Sequence, residues 1–494
     1  MILSKSDYTL FLRHPAWAWL KKHDKGKLPP VSANLQAMFD AGYLFESYAE
    51  KLFPDGVRVG FKEYGDYLSQ PARTKKTFAD GAKTVFQGRF EANNMTCICD
   101  VVTKIDDTTL DLYEIKSSTE TKLIHEHDLA FQMVVLEACG YTVRNITVLC
   151  VNNDYVRHGE IDVKQLVTEE NVTDVVKERR DDTKDHIGNA LRVLSSPTIP
   201  DISPAHCGFQ SLQDWLEIYR TLTTVEPGSI YDLCRLNVGL IETLEERNVR
   251  RIAEIPEDIT LGSQQQLQVR ATKEHRVIIE RNKIKDFVSK CTFPLYFLDY
   301  ETLTSVVPLF DGQRAYQQVP FQYSLHVLET PGGELKHYGY LHNEHTDPIL
   351  PLTKSLMSHI GDMGTVLVWY ESFEKGKNVE MGCTNDTCFT FYEKLNRRIV
   401  DLMTPFSKGW YADKDFLGSA SIKSVLPVLV LELSYDDLNI HEGSSAQRIW
   451  MKTVLEGKHE KEREYILKDL EEYCKLDTFA MVKIYEKLKN TIAR

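Results

Sequence analysis

The 494-residue chain contains no apolar run near the ~20 residues that span a bilayer, which argues against a membrane-embedded protein. Its opening residues, Met1 to Asp7, mix polar side chains where a secretory leader needs an apolar stretch. The ten cysteines follow no paired or ligand-like spacing, so a reducing cytoplasm is the expected compartment. Cys383 and Cys388 flank a short loop without a second pair or a nearby His, which speaks against a zinc knuckle. No internal repeat and no low-complexity tract is visible. Positive charge is also short: 59 Lys and Arg against 72 Asp and Glu leave −13, which excludes non-specific coating of nucleic acid. An acidic metal site stays open, because its carboxylates add to that balance and its cations reverse the local sign.

What is present is the composition of a globular protein, with 42% hydrophobic and 27% charged residues. The length exceeds one ordinary core and calls for roughly two to four domains. Residues 295–302 read Leu-Tyr-Phe-Leu-Asp-Tyr-Glu-Thr. The apolar start suits a buried strand, and Asp299 and Glu301, two residues apart, leave an extended chain on one face. Such a pair repels itself unless a cation lies between its members, so the spacing points to a divalent-metal site of the kind that hydrolyses phosphodiesters. On the last helix, expected over 461–488, Tyr473 and Asp477 stand one turn apart. Glu374, after a strand expected over 365–369, adds a fourth acid, with Asp401 as its rival. Further strands are expected over 319–328 and 335–340, with a helix over 422–431. Strands followed by helices give a domain of the α/β class over 291–494.

The first domain, 1–205, opens with helices expected over 4–22, interrupted near Pro15, and over 35–53. Glu46 and Glu50 lie one turn apart on the second. A β-meander is expected from strands 84–91, 97–105 and 109–117. Asp100 lies within the second strand, and Glu114 and Lys116 share a face of the third. Two carboxylates and an ammonium on adjacent strands suit a cation and a positioned water. Residues 206–290 are expected to form a helical spacer from helices over 209–225 and 230–247. A further helix would carry the basic run Arg270, Lys273, Arg276, Arg281, Lys283 and Lys285, able to follow a nucleic-acid backbone.

Asp100, Glu114-Ile-Lys116 and the downstream Asp128-Leu-Ala-Phe-Gln132 resemble the PD-(D/E)XK nuclease core of the RecB type. Glu46, four residues after Gly42, falls where that family places a His or Glu ligand, and Gln132 matches its helix glutamine. The resemblance implies a restriction-endonuclease-like fold, with Glu46, Asp100 and Glu114 on a metal and Lys116 and Gln132 beside it. Relatives with an iron–sulfur cluster carry Cys-Pro on the first helix and a cysteine group after the core. Here Arg13-His14-Pro15 and Pro204-Ala205-His206-Cys207 stand in those places, and one thiol cannot hold a four-iron cluster. No iron–sulfur cluster is expected, and His14 is expected at the surface or in packing.

The C-terminal set resembles the DnaQ-like (DEDD) 3′–5′ exonucleases on a ribonuclease H-like fold, in the subclass with Tyr before the last Asp. That implies Asp299, Glu301, Glu374 and Asp477 as ligands of Mg2+ or Mn2+ and Tyr473 as the residue that assists the attacking water. Glu374 departs from the Asp usual at its position. The whole chain resembles an uncharacterised bacterial family fusing a RecB-type nuclease domain to a DnaQ-like exonuclease. It implies a nuclease acting on DNA, or alternatively RNA, in DNA processing, repair or defence. A nucleic-acid-binding scaffold with one or both sites inactive is the reading from another class.

Overall fold

Period-two apolar patterns build the first sheet from β1 (Leu3–Ser4), β2 (Val57–Arg58), β3 (Thr84–Ala92), β4 (Met95–Lys104), β5 (Thr109–Ile115), β6 (Thr142–Val151) and β7 (Val167–Asn171). Its order is β2-β3-β4-β5-β6-β7, with β1 pairing β4 in parallel. The expected meander is present, β3, β4 and β5 being antiparallel neighbours. β6 joins β5 in parallel, which requires a crossover, and the helix Leu123–Ala138 supplies it. The computed structural model describes residues 1–435 and 438–493.

Helices α1 (Lys5–Arg13), α2 (Pro15–His23), α3 (Ala33–Ala49), α4 (Tyr64–Ala79) and α5 (Leu123–Ala138) accompany this sheet. Ser4 and Asp7 cap each other's backbone at the start of α1. The break expected near Pro15 falls at His14, whose extended backbone separates α1 from α2 and whose ring accepts a hydrogen bond from the Ala16 N–H. His14 is fully buried, stacked on Trp215 at 3.8 Å between ring centroids, so it packs and does not lie at the surface. Two apolar clusters cover the sheet, one around Leu112, Leu129 and Phe131 and one around Phe45, Val101 and Leu149.

The second sheet runs β11-β10-β9-β12-β13 and a separate pair joins β8 to β14, where these are β8 (Ile278–Ile279), β9 (Leu295–Leu303), β10 (Val319–Leu328), β11 (Leu335–Leu341), β12 (Thr365–Val368), β13 (Ile399–Asp401) and β14 (Tyr411–Ala412). β9 is antiparallel to β10 and parallel to β12. β12 pairs only with Leu295, Tyr296 and Phe297, so past that point one edge of β9 is released from the ladder. The protein is therefore a mixed α/β chain. No helix among the described residues is long and apolar enough to cross a membrane.

Two compact units result. The first holds Met1–Val225, Asn237–Glu242 and Ser305–Gln317; the second holds Glu226–Leu236, Thr243–Thr304 and Gln318–Arg494. Residues 305–317, between β9 and β10 in sequence, thus belong to the first unit, where Val306, Val307 and Ala315 complete the cluster around Phe45. Two expectations for the middle segment need correction. Residues 230–247 are not one helix: a short 3-10 turn at Ile230–Asp232 and a helix at Val238–Glu246 are separated by Arg235 with φ of 50°, and Asn237 restarts the helix by accepting from the Leu240 N–H. The basic run does not lie on one helix either. Left-handed His275 ends Ser263–Glu274, and β8 precedes Arg281–Ser289. Lys273 donates to the Ile255 carbonyl and Arg281 to that of Thr491, so these cations serve local backbone.

Burial lowers the His14 pKa to about 4, well under the ordinary imidazole value, so the folded state holds a neutral ring. The unfolded chain then binds the extra proton between about pH 6.5 and 4. The contribution is complete above that window and disappears as pH falls through it, amounting to roughly 3 kcal/mol. Thermal unfolding of His14→Gln at pH 7 and pH 5 checks this: the stability difference from the parent chain shrinks at pH 5.

Candidate functional site

Asp299 and Glu301 project from the part of β9 that β12 leaves uncovered, on the face opposite Tyr300. Tyr300 turns the other way and donates to the Asn378 side chain at 2.9 Å. The helix Arg463–Ala493 brings Tyr473, Cys474 and Asp477 to the acids, Cys474 and Asp477 sharing a face at a spacing of three. Ligand atoms of Asp299, Glu301 and Cys474 all lie within 4.8 Å of one another. Gly443 opens the helix Gly443–Trp450 so close that a Cβ there would stand 3.3 Å from Glu301 Oε2.

The electrostatics of this group are those of acids short of a cation. Burial first and Asp477 second push Asp299 well above the carboxylate range, with Cys474 and Lys423 opposing. Glu301 is raised by burial, then by Asp299 and Asp477. Glu374, on the helix Glu371–Gly382 and 2% exposed, is raised by burial, Asp299 and Glu301. Its Oε2 has no hydrogen-bond partner among the described residues. Asp477 is raised to about 6 by burial, although it accepts a 2.5 Å hydrogen bond from the Tyr435 hydroxyl. Asp401, the rival of Glu374, accepts instead from the backbone N–H groups of Tyr370 and Met403, which fixes it as a turn residue.

This donor set fits a divalent cation. Glu374 supplies an orphaned buried oxygen, and the carboxylates are hard donors suited to Mg2+ or Mn2+. The Cys474 thiol is pushed up by burial and then by Asp299 and Glu301, and as a soft donor it offers little to Mg2+ or Mn2+. Its place is beside Asp299, with Sγ 3.9 Å from Oδ2. Burial and then Asp477 raise the Tyr473 hydroxyl, keeping it a hydrogen-bond donor. Lys423 lies 5.6 Å from the Tyr473 ring centre and 5.7 Å from that of Tyr435 while donating to the His441 carbonyl. Tyr435, Cys474 and the position of Lys423 beside the acids escape sequence reasoning.

The first unit gathers the other candidates differently. The β3–β4 ladder skips the Gln87–Asp100 pair, where Gln87 takes a φ of 53°. The Gln87 amide then bridges Glu46 Oε1 at 2.8 Å and Asp100 Oδ1 at 3.2 Å. The Ile115 N–H donates to Asp100 Oδ2 at 2.9 Å. Lys116 donates to Glu114 Oε1 at 2.6 Å and to Asp128 at 3.1 Å, and Gln132 donates to Glu114 Oε2 at 2.8 Å. Burial and then Glu114 raise Asp100 to about 7. Burial also opposes ionisation of Glu114, but Lys116 and Lys5 overcome it and hold this acid well below its ordinary value. Lys5, Asp128 as an ion-pair partner and Gln87 enter the group only through the fold.

Residues 296–421 match a family described as a domain of unknown function, DUF2779. That match takes in Asp299, Glu301 and Glu374 and ends before Lys423, Tyr473 and Asp477. An uncharacterized protein of Mycoplasma pneumoniae, the MG366 homolog, is 25% identical over 242 residues, 45% of this chain and 36% of that protein. The uncharacterized protein MG366 of Mycoplasma genitalium is 23% identical over 223 residues, 41% of this chain and 33% of that protein. The chain thus spans about a third of the length of these curated relatives.

Because the acids at β9 repel one another, removing one charge stabilises the protein where no cation is supplied. Asp299→Asn is expected to raise the Tm in EDTA by about 2–6 °C, from roughly 1–2 kcal/mol. An unchanged or lowered Tm by scanning calorimetry contradicts the repulsion.

Proposed function

We propose that the protein is a metal-dependent nuclease whose second unit removes nucleotides from the 3′ ends of nucleic-acid strands. The reading assigns a DnaQ-like exonuclease on a ribonuclease H-like fold to that unit and a RecB-like, restriction-endonuclease-like fold to the first. DNA is the favoured substrate, RNA the alternative, and the cytoplasm the site of action. The observation that carries the reading is the convergence of Asp299 and Glu301 from β9 with Cys474 of the closing helix, while Asp477 and the buried Glu374, whose Oε2 has no partner among the described residues, interact electrostatically with the same acids. The site also lies in the carboxyl-terminal half of β9, beyond its pairing with β12, and α/β sheets hold ligands outside the carboxyl ends of their strands.

Asp299, Glu301, Glu374 and Asp477 would hold Mg2+ or Mn2+. The cations supply Lewis acidity toward water and neutralise charge on a phosphodiester. Tyr473, held protonated among these acids, donates a hydrogen bond that orients the attacking water. Lys423 contributes positive charge on the side of Tyr435 and Tyr473, where a strand's phosphates need it. Gly443 leaves the approach to Glu301 open, since any larger residue would crowd its carboxylate. The longer Glu374 side chain reaches the acids from its helix where the family uses Asp.

A nucleic-acid-binding scaffold is the second reading for the first unit alone, favoured by the complete hydrogen bonding of Glu114.

End-labelled single-stranded DNA and RNA, incubated with the full chain and Mg2+, Mn2+ or EDTA, test the proposal. Loss of label from the 3′ end with metal, and none with EDTA, is expected. Asp299→Ala is expected to abolish it, and Tyr473→Phe to lower kcat by roughly 100-fold or more. Unchanged trimming by Asp299→Ala contradicts the assignment.

A further inference from the structure

The two acidic groups differ in what neutralises them. In the second unit, Lys423 donates to a backbone carbonyl, not to a carboxylate. In the first unit, a lysine far away in sequence reaches the centre of the group. Lys5, first residue of α1, places Nζ 3.0 Å from Glu114 Oε1 and 3.9 Å from Asp128 Oδ2. Lys116 Nζ shares both oxygens. Glu114 Oε2 is taken by Gln132, and the Asp100 oxygens by Gln87 and the Ile115 N–H. Every oxygen of Asp100 and Glu114 therefore has a donor from the chain itself. Glu46 Oε1 is likewise shared between Gln87 and Arg58.

We propose that Lys5 is an internal counter-ion occupying the position a divalent cation would take in the first unit, so that this site binds Mn2+ only when Lys5 is removed. The inference rests on reading Asp100, Glu114 and Lys116 as a nuclease-type set. Two ammonium groups within 3.0 Å of one carboxylate oxygen supply the positive charge that a cation would bring. A cation between Asp100 and Glu114 must displace at least one of them, and the backbone of Lys116, just past β5, is held next to Glu114 by its N–H bond to the Leu149 carbonyl. The backbone that carries Lys5 is fixed. Ser4 and Ser4's partner Asp7 cap α1, and Leu3 and Ser4 pair with Met95 and Thr96 of β4, which anchors its backbone beside the sheet. The ammonium thus belongs to the folded site, and the first unit is left to hold nucleic acid without cation-driven cutting.

Calorimetric titration with MnCl2 tests this on the full chain. Asp299→Asn/Asp477→Asn removes the second unit's site and leaves Lys5 in place. This chain is expected to bind no Mn2+ tighter than about 1 mM. Adding Lys5→Ala is expected to create one site with affinity raised about tenfold or more, and further addition of Asp100→Asn to remove it. Submillimolar binding with Lys5 present that Asp100→Asn abolishes overturns the proposal, as does a folded Lys5→Ala chain that gains no site. If Lys5→Ala does not fold, Lys5→Gln takes its place, and the arm with Lys5 intact decides independently. Failure of the nuclease reading of the second unit shows elsewhere: the unsubstituted chain then binds no Mn2+ that Asp299→Asn/Asp477→Asn removes.

Discussion

Repulsion among carboxylates that the fold brings together without an ammonium donor is the constraint from which the rest of the second unit follows. Burial alone raises the cost of each charge, and Asp299, Glu301 and Asp477 each raise it further for at least one other acid of the group, Glu374 included. A chain accepts such a group only where something else repays it. β9 is cut loose from β12 after Phe297, Gly443 denies a side chain to the space by Glu301, and Asp401 is diverted to a turn. Each feature keeps the acids accessible to one another and to a cation.

The first unit resolves a similar problem in the opposite way. Its acids are matched by ammonium and amide donors from α1, β3, the residue that follows β5, and α5. Glu114 is ionised there at the expense of Asp100, whose proton is retained to about pH 7. The same residue types, Asp and Glu on neighbouring strands, thus give a cation-demanding group in one unit and a self-neutralised one in the other. The difference lies in the ammonium groups, Lys116 beside Glu114 in the motif itself and Lys5 delivered by tertiary packing.

That contrast marks how far the sequence could be read. Period-two spacing placed Asp299 with Glu301 and Glu114 with Lys116, and helical spacing placed Tyr473 with Asp477. The three-strand meander and the strands at 319–328 and 365–368 were legible for the same reason. Lys5, Gln87, Tyr435 and Cys474 were not, because no local pattern says which distant surface a side chain will meet. Gln87 acts through a left-handed backbone that non-glycine residues seldom adopt, so nothing local foretold it. β6 was missed because a continuous apolar run does not distinguish a buried strand from a helix. The assignment of residues 305–317 to the first unit was invisible, since a segment of mixed composition between two strands reads only as a connection.

The central claim is that acids from β9 and from the closing helix jointly hold a divalent cation. Anomalous diffraction at the manganese edge, from crystals of the full chain grown with MnCl2, tests it directly. The account predicts a peak bounded by carboxylate oxygens of Asp299, Glu301 and Asp477. Absence of any peak among those three residues, at a concentration that supports activity, would contradict it.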